Sequence, residues 1–138
     1  MFTIDASVHV NALNPVEPGS AESQAFLDHV YRHLLPVFSP TLLLVELSAS
    51  IARAFNNAGQ GVAFAEAVHR LPGTVWVLLD ELLAEEAARV AAQYRLRGAD
   101  AVYAAVAQRY GTTLVTLHRQ QLERLAPVLN VRRPAEAM

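Results

Sequence analysis

The sequence contains no cysteine and no lysine. Without cysteine, the chain cannot form a disulfide scaffold, a zinc–cysteine site or a catalytic thiol. All eleven basic residues are arginine, so the chain lacks the lysine with which a P-loop contacts nucleotide phosphates. Receiver domains and haloacid-dehalogenase-like phosphatases also depend on a lysine and are disfavoured for the same reason. These absences remove several common classes of phosphate-handling protein.

Long apolar runs are absent as well. The most apolar segment, residues 34–52, is interrupted by Pro36, Pro40 and Glu46, and its uninterrupted stretches are too short to cross about 30 Å of hydrocarbon. The first five residues show no basic region followed by an apolar core, so they do not resemble a secretory signal. We therefore expect a cytoplasmic protein that makes no contact with a membrane.

The chain has 138 residues, of which 53% are hydrophobic and 17% charged. A chain of this length buries roughly two thirds of its unfolded surface, and no repeat or linker divides it, so we expect one domain over residues 1–138. The net charge is −2, yet residues 89–138 hold eight arginines and three acids. Arginine binds phosphate through a two-pronged contact, which points to a phosphate-bearing partner. A solvated helix face is the simpler explanation of the same charges.

Short apolar runs alternate with amphipathic segments along the chain. The pattern predicts strands at residues 2–5, 37–38, 75–79, 113–117 and 128–131, with helices between them. Gly59 and Gly61 are expected to break the chain before a further helix. Alternating strands and helices favour a parallel sheet with right-handed crossovers and helices on both faces. In such folds the functional site lies beyond the carboxyl ends of the strands.

Three acids are candidates for that site. Asp5 ends the first strand, Glu46 is the only charged residue between Arg32 and Arg53, and Asp100 opens an alanine-rich helix. An unpaired buried carboxylate costs several kcal/mol unless it has a partner or takes up a proton. Carboxylate oxygens suit Mg²⁺ or Mn²⁺, which can activate water for attack on a phosphodiester. The alternative is that Asp5 and Asp100 cap helices and Glu46 faces solvent.

Four segments of the chain stand out when they are taken together: Ile4-Asp5-Ala6-Ser7-Val8, Val45-Glu46-Leu47, the block from Leu96 to Ala105 around Asp100, and Leu114-Val115-Thr116-Leu117. In this combination they resemble the PIN-domain family, and within it the VapC-type toxins of toxin-antitoxin pairs. The block around Asp100 is the most specific of them. The likeness extends over nearly the whole chain, in length and in the order of elements.

The resemblance implies a three-layer α/β/α fold with a central, mainly parallel sheet of about 4–5 strands, as the alternation of elements in the chain also favours. It implies a metal-dependent endoribonuclease that uses Mg²⁺ or Mn²⁺, forms a homodimer and is held inactive by a small antitoxin. By position, Asp5, Glu46 and Asp100 would be the catalytic, metal-binding acids. Ser7 and Thr116 match positions that often carry a hydroxyl near the site.

The chain departs from the family at one position. The family usually carries a fourth acid after the late strand in a Thr-x-Asp pattern, whereas this sequence reads Thr116-Leu117-His118. Imidazole is a poor ligand for Mg²⁺ but an acceptable one for Mn²⁺ and other transition metals. Three interpretations stay open: His118 changes the metal preference, leaves a three-acid site that still cleaves, or marks a degenerate module that binds RNA or a protein without cleavage.

Two arginines near the expected site are candidates for contact with the RNA backbone. Arg97 precedes the block around Asp100 and Arg119 follows His118. Plain surface charge explains both equally well. A third reading of the whole chain, an unrelated α/β domain in which all three acids are caps, is disfavoured by the block around Asp100.

Overall fold

Five parallel strands form the centre of the computed structural model, which describes residues 1–138. Their order in the sheet is β3-β2-β1-β4-β5, and every neighbouring pair is parallel. The predicted parallel α/β architecture is therefore confirmed. The strands are β1 (Phe2–Ile4), β2 (Val37–Pro40), β3 (Thr74–Val77), β4 (Thr113–Val115) and β5 (Val131–Arg132).

Seven α-helices surround this sheet, and a 3₁₀ turn at Pro134–Glu136 follows β5. No helix combines the length and the apolar character that a membrane span requires. The helices are α1 (Ala6–Ala12), α2 (Ser20–Arg32), α3 (Leu42–Phe55), α4 (Ala58–His69), α5 (Glu81–Tyr94), α6 (Gly98–Tyr110) and α7 (Arg119–Leu125).

The two faces of the sheet bury apolar clusters of different size. Successive residues of a strand point to opposite faces, and in β4 Leu114 joins a cluster of 20 buried residues while Val115 joins one of 6. The larger cluster includes the unbroken buried run from Ala101 to Ala107 in α6. Because most of these side chains are small, α6 approaches the sheet closely and contacts β1, β2 and β4. This packing fixes the first turn of α6 beside the strand ends.

Several local predictions are wrong. The strand expected at residues 113–117 ends at Val115, and the one expected at 128–131 covers only Val131–Arg132, because β5 pairs only with Leu114 and Val115 of β4. The strand expected at residues 75–79 ends at Val77, because β2 ends at Pro40, which pairs with Val77; Leu78 and Leu79 are exposed. Gly59 and Gly61 lie inside α4 rather than before it. A Cβ on Gly61 would collide with the backbone oxygen of Ser48 in α3, so this glycine permits close packing of two helices.

Candidate metal centre at the strand ends

Asp5 follows β1 directly and is the N-cap of α1. Its Oδ2 accepts a hydrogen bond from the backbone N–H of Ser7 at 2.8 Å, and only 2% of the residue is exposed. The alternative that Asp5 caps a helix is thus correct, whereas Asp100 is not a cap, because the N-cap of α6 is Arg97. The carboxylate of Asp5 also lies at the carboxyl edge of the sheet, so the cap fixes its position there.

Asp100 lies in the first turn of α6 and is 3% exposed. Its Oδ2 accepts a hydrogen bond from Nε of Arg97 at 3.2 Å. The backbone oxygen of Asp100 accepts a second hydrogen bond, from the buried side-chain amide of Gln121. These contacts hold the carboxylate so that its other oxygen, Oδ1, faces His118.

His118 completes a group of three ligand-type side chains. Its Nε2 lies 3.3 Å from Oδ2 of Asp5 and 3.8 Å from Oδ1 of Asp100. One ligand atom from each of the three residues lies within 4.8 Å of the other two. His118 stands where the resemblance leads one to expect an acid. Its side chain points at Asp5 and Asp100, two of the acids predicted from the sequence.

The segment that carries His118 is held by the two predicted hydroxyls. Oγ1 of Thr116 accepts a hydrogen bond from the backbone N–H of His118 at 3.0 Å and donates one to the side chain of Gln121. Oγ of Ser7 accepts a hydrogen bond from the backbone N–H of Leu117 at 3.2 Å. Ser7 and Thr116 therefore position the segment after β4 relative to α1 and α7.

Glu46 stands apart from this group, in α3. It is half-buried, and its Oε1 accepts a hydrogen bond from the hydroxyl of Tyr103 at 2.6 Å. Tyr103 is fully buried in α6, one turn after Asp100. In sequence Tyr103 fits an ordinary core position of an alanine-rich helix, and only its spacing of three from Asp100, which places both on one helix face, indicates a contact with the site.

Burial controls the ionisation of these groups. It raises the pKa of Asp5, while the nearby His118 and the hydrogen bond from Ser7 lower it. Burial also raises the pKa of Glu46, against the opposing effect of the Tyr103 hydroxyl. The pKa of Tyr103 is raised well above its usual value, again mainly by burial. A cation between the carboxylates would favour their ionised forms.

A cleft of about 440 Å³ adjoins this group; Glu46 and His118 line it, whereas Asp5 and Asp100 do not. Arg97 lies on its wall, as does Arg53, which sequence reasoning missed. Arg53 follows Glu46 by seven residues in α3, which places both side chains on one face of the helix. Arg119 does not line the cleft; it is exposed and its Nε lies 2.6 Å from Oε1 of Glu123. Other residues of the wall are Ser7, Asn11, Glu17, Glu46, Ser50, Leu117 and His118.

The parallel sheet and the acidic strand-end cleft define a class of small α/β domain with a candidate metal centre. A model of the PIN domain family matches residues 2–126, and the chain belongs to that family. A comparison with curated proteins finds no match.

Solved structures share the fold over nearly the whole chain. The VapC20 toxin of Mycobacterium tuberculosis, described as a Sarcin-Ricin loop cleaving toxin, aligns with a TM-score of 0.74 and 15% identity, covering 96% of this chain and 99% of that one. FitAcB from Neisseria gonorrhoeae aligns with a TM-score of 0.70 and 22% identity, over 97% and 98%. VapBC2 from Rickettsia felis, bound to a promoter DNA fragment, aligns with a TM-score of 0.69 and 12% identity, covering 96% of this chain and 97% of that one.

Proposed function

We propose that this PIN-domain protein is a divalent-metal-dependent endoribonuclease and the toxin of a toxin-antitoxin pair. The observation that carries the proposal is the convergence of Asp5, Asp100 and His118 at the carboxyl edge of the sheet, with Glu46 facing the same cleft. Similar folds described as a Sarcin-Ricin loop cleaving toxin and as a toxin-antitoxin complex from Klebsiella pneumoniae support the same class of activity.

The donor set fits a divalent cation such as Mg²⁺ or Mn²⁺. Two ligand atoms about 2.1 Å from one ion, and 90° apart, are separated by about 3.0 Å. The separations of 3.3 and 3.8 Å between Nε2 of His118 and the two carboxylates are close to that value. Asp5, Asp100 and His118 would hold the ion, and Glu46 would supply a further carboxylate near them. The bound ion would activate water and stabilise the charge that develops on the phosphodiester.

The side chains of the site divide the remaining work. Asp5 and Asp100 keep fixed positions because backbone and side-chain donors hold them. Tyr103 holds Oε1 of Glu46, so Oε2 is left to accept a proton from water, a task suited to a carboxylate whose pKa is raised. Ser7 and Thr116 orient the segment that presents His118.

The RNA strand would cross the cleft between two arginines. Arg97 and Arg53 lie on its walls, and arginine binds phosphate in a planar, two-pronged geometry. Arg53 makes no ion pair, whereas Arg97 already contacts Asp100. Arg119 contributes less to this path because it lies outside the cleft and pairs with Glu123.

The decisive experiment is RNA cleavage by the purified protein with Mg²⁺ and Mn²⁺ in parallel. Asp100→Asn, purified in the same way, controls for contaminating nuclease. We expect cleavage by the wild type that EDTA stops and the variant lacks. Cleavage that persists unchanged in the variant would contradict the proposal.

We also propose a cytoplasmic homodimer bound by a cognate antitoxin. The similar folds of VapBC complexes support an antitoxin partner. Exposed apolar side chains such as Val45, Val62 and Leu82 provide contact area for a partner.

Two kinds of measurement test these partners. Induced expression of the protein should arrest growth, and co-expression of a short reading frame directly upstream should restore growth. For the homodimer, light scattering should give twice the mass of one chain. Arrest that persists in both Asp5→Asn and Asp100→Asn would separate toxicity from catalysis.

A second candidate function is a non-cleaving module that binds RNA or a protein. Nε2 of His118 and the guanidinium of Arg97 already contact oxygens of Asp5 and Asp100, so the carboxylates have partners without a cation. This candidate predicts RNA binding without cleavage in either metal.

A further inference from the structure

The donor atoms that converge at the strand ends are not all oxygen. Asp5 and Asp100 contribute carboxylate oxygens and His118 contributes a ring nitrogen, Nε2. Mg²⁺ is a hard cation that prefers oxygen and gives up its waters reluctantly. Imidazole nitrogen suits Mn²⁺ and the later first-row divalent ions, whose affinity for such sites rises from Mn²⁺ towards Cu²⁺. The nitrogen donor should therefore give the site a higher affinity for Mn²⁺ than for Mg²⁺, the two cations proposed for it.

The charge around the group disfavours Mg²⁺ further. Oδ2 of Asp100 is taken by Arg97 at 3.2 Å, which offsets part of its negative charge. Glu46 lies outside the group of three, and one of its oxygens accepts a hydrogen bond from Tyr103. A cation held mainly by charge thus finds one fewer carboxylate than the family pattern supplies. For a cation that also binds imidazole nitrogen well, the missing carboxylate lowers the affinity less.

His118 is presented for this role by its surroundings. Its backbone N–H is bonded to Thr116, and the preceding Leu117 is bonded to Ser7. Its side chain is 38% exposed, and both carboxylates are almost fully buried. The imidazole therefore contacts the two buried acids from their solvent-exposed side.

We infer that Nε2 of His118 is a direct ligand that makes this centre select Mn²⁺ or a later transition metal over Mg²⁺. The inference rests on the proposed metal site and concerns the choice of ion. The nitrogen that selects the ion also leaves a spectroscopic signal, which carboxylate ligands do not give.

The test is a titration of the protein with Mn²⁺ in the absence of RNA. Free Mn²⁺ is followed by electron paramagnetic resonance, and Mg²⁺ is added as the competitor. Wild type should bind Mn²⁺ at least about tenfold more tightly, relative to Mg²⁺, than His118→Asp does. Pulsed spectra of the Mn²⁺ complex should show coupling to ¹⁴N in wild type, and that coupling should vanish in His118→Asp.

Two controls keep the result specific. His33→Gln removes an exposed histidine of the segment after α2, whose ring contacts only the backbone oxygen and the ring of His29, and it should retain the ratio and the ¹⁴N signal. His118→Gln keeps a polar side chain without imidazole and should lose both. Circular dichroism of each variant establishes that it is folded.

An equal ratio of Mn²⁺ to Mg²⁺ affinity in wild type and folded His118→Asp would overturn the inference. Bound Mn²⁺ without ¹⁴N coupling, coupling that survives in His118→Asp, or no binding of either ion would also overturn it. Cleavage of RNA is measured separately. A protein that binds Mn²⁺ through His118 but leaves RNA intact would contradict the proposed function and keep the inference. RNA cleavage supported equally by both ions would keep the proposed function and contradict the inference.

Discussion

The two sides of the candidate site are built in different ways. One side, the strand-end wall, consists of Asp5, Asp100 and His118, whose side chains come from three separate elements and meet within 4.8 Å; of the three, only His118 lines the cleft. The other, the α3 wall, presents Glu46, Ser50 and Arg53 along one helix, at spacings of four and three residues that share a face.

The walls also differ in how their side chains are held. The acids of the strand-end wall are 2–3% exposed and accept hydrogen bonds from the backbone of Ser7 and from Arg97. In the α3 wall, Glu46 is half-buried with one partner, Tyr103, and Arg53 is exposed. Rigid, buried ligands suit a fixed ion, and exposed side chains on one face suit a moving strand of RNA. In the proposed function, the strand-end wall would fix the ion, and the α3 wall would supply Glu46 as the proton acceptor and Arg53 as a phosphate contact.

The largest expected effect comes from removing a ligand of the strand-end wall. Asp100→Asn should lower the RNA cleavage rate by more than about 1,000-fold, while Glu46→Gln should lower it by about 100-fold. The reason is that Asp100 lies in the converging group and Glu46 stands outside it. Single-turnover cleavage at saturating Mn²⁺ measures both. Equal losses would erase the distinction between the walls.

The next effect follows from restoring the acid of the family pattern. His118→Asp should raise Mg²⁺-supported cleavage by about tenfold, because it replaces a poor ligand for this ion with a good one. The measurement is the cleavage rate against Mg²⁺ concentration. Adding Asp100→Asn to His118→Asp should abolish the gain. No gain over wild type, with Asp100→Asn equally inactive, would count against a three-acid site that still cleaves.

Much of the fold follows from the sequence, because alternating apolar runs and helical periods specify parallel crossovers. The ends of the elements do not follow as well. Val77 and Leu78 are similar side chains, and only the end of β2 at Pro40 decides that the strand stops between them. Gly61 is equally ambiguous, since a glycine that breaks a helix and one that lets α3 approach α4 look alike in sequence.

The candidate site was located from the sequence mainly through a resemblance. Spacing identified Asp5 and Asp100 as possible caps, and their convergence with His118 depends on long-range packing that periodicity does not encode. Tyr103 and Gln121 were missed because each fits an ordinary helix pattern. Their contacts with Glu46 and with the backbone of Asp100 exist only after α6, α3 and α7 meet.

A smaller effect concerns the stability of the metal-free protein. Burial raises the folded-state pKa of Asp5 above its usual 3.8, so above that pH the folded protein binds more protons than the unfolded chain. The stability contributed by protonated Asp5 is present at low pH and is lost as the pH rises through the folded-state pKa. In the metal-free wild type, the contribution of Asp5 to the free energy of unfolding should therefore fall as the pH rises from about 4.

Asp5→Asn tests whether the buried charge of Asp5 lowers the stability, because asparagine removes the charge and can still accept the hydrogen bond from Ser7. At neutral pH we expect the metal-free variant to melt about 3–5 °C higher than wild type, and added Mn²⁺ to stabilise only the wild type. Glu85→Gln, at an exposed carboxylate of α5, is the matched control and should change nothing. A lower melting temperature for Asp5→Asn would show that capping outweighs the cost of the buried charge.

The smallest expected effect belongs to the α3 wall. Arg53→Gln should weaken RNA binding about threefold and reduce the slope of log affinity against log salt by about 0.7, the value for one phosphate contact on a single strand. Arg119→Gln is the matched comparison, because Arg119 is exposed, already pairs with Glu123 and lies outside the cleft; it should change the slope less. Fluorescence anisotropy in an Asp100→Asn background, which leaves the RNA intact, measures both. If Arg119→Gln has the larger effect, the RNA follows α7 rather than α3, and the α3 wall contributes only Glu46.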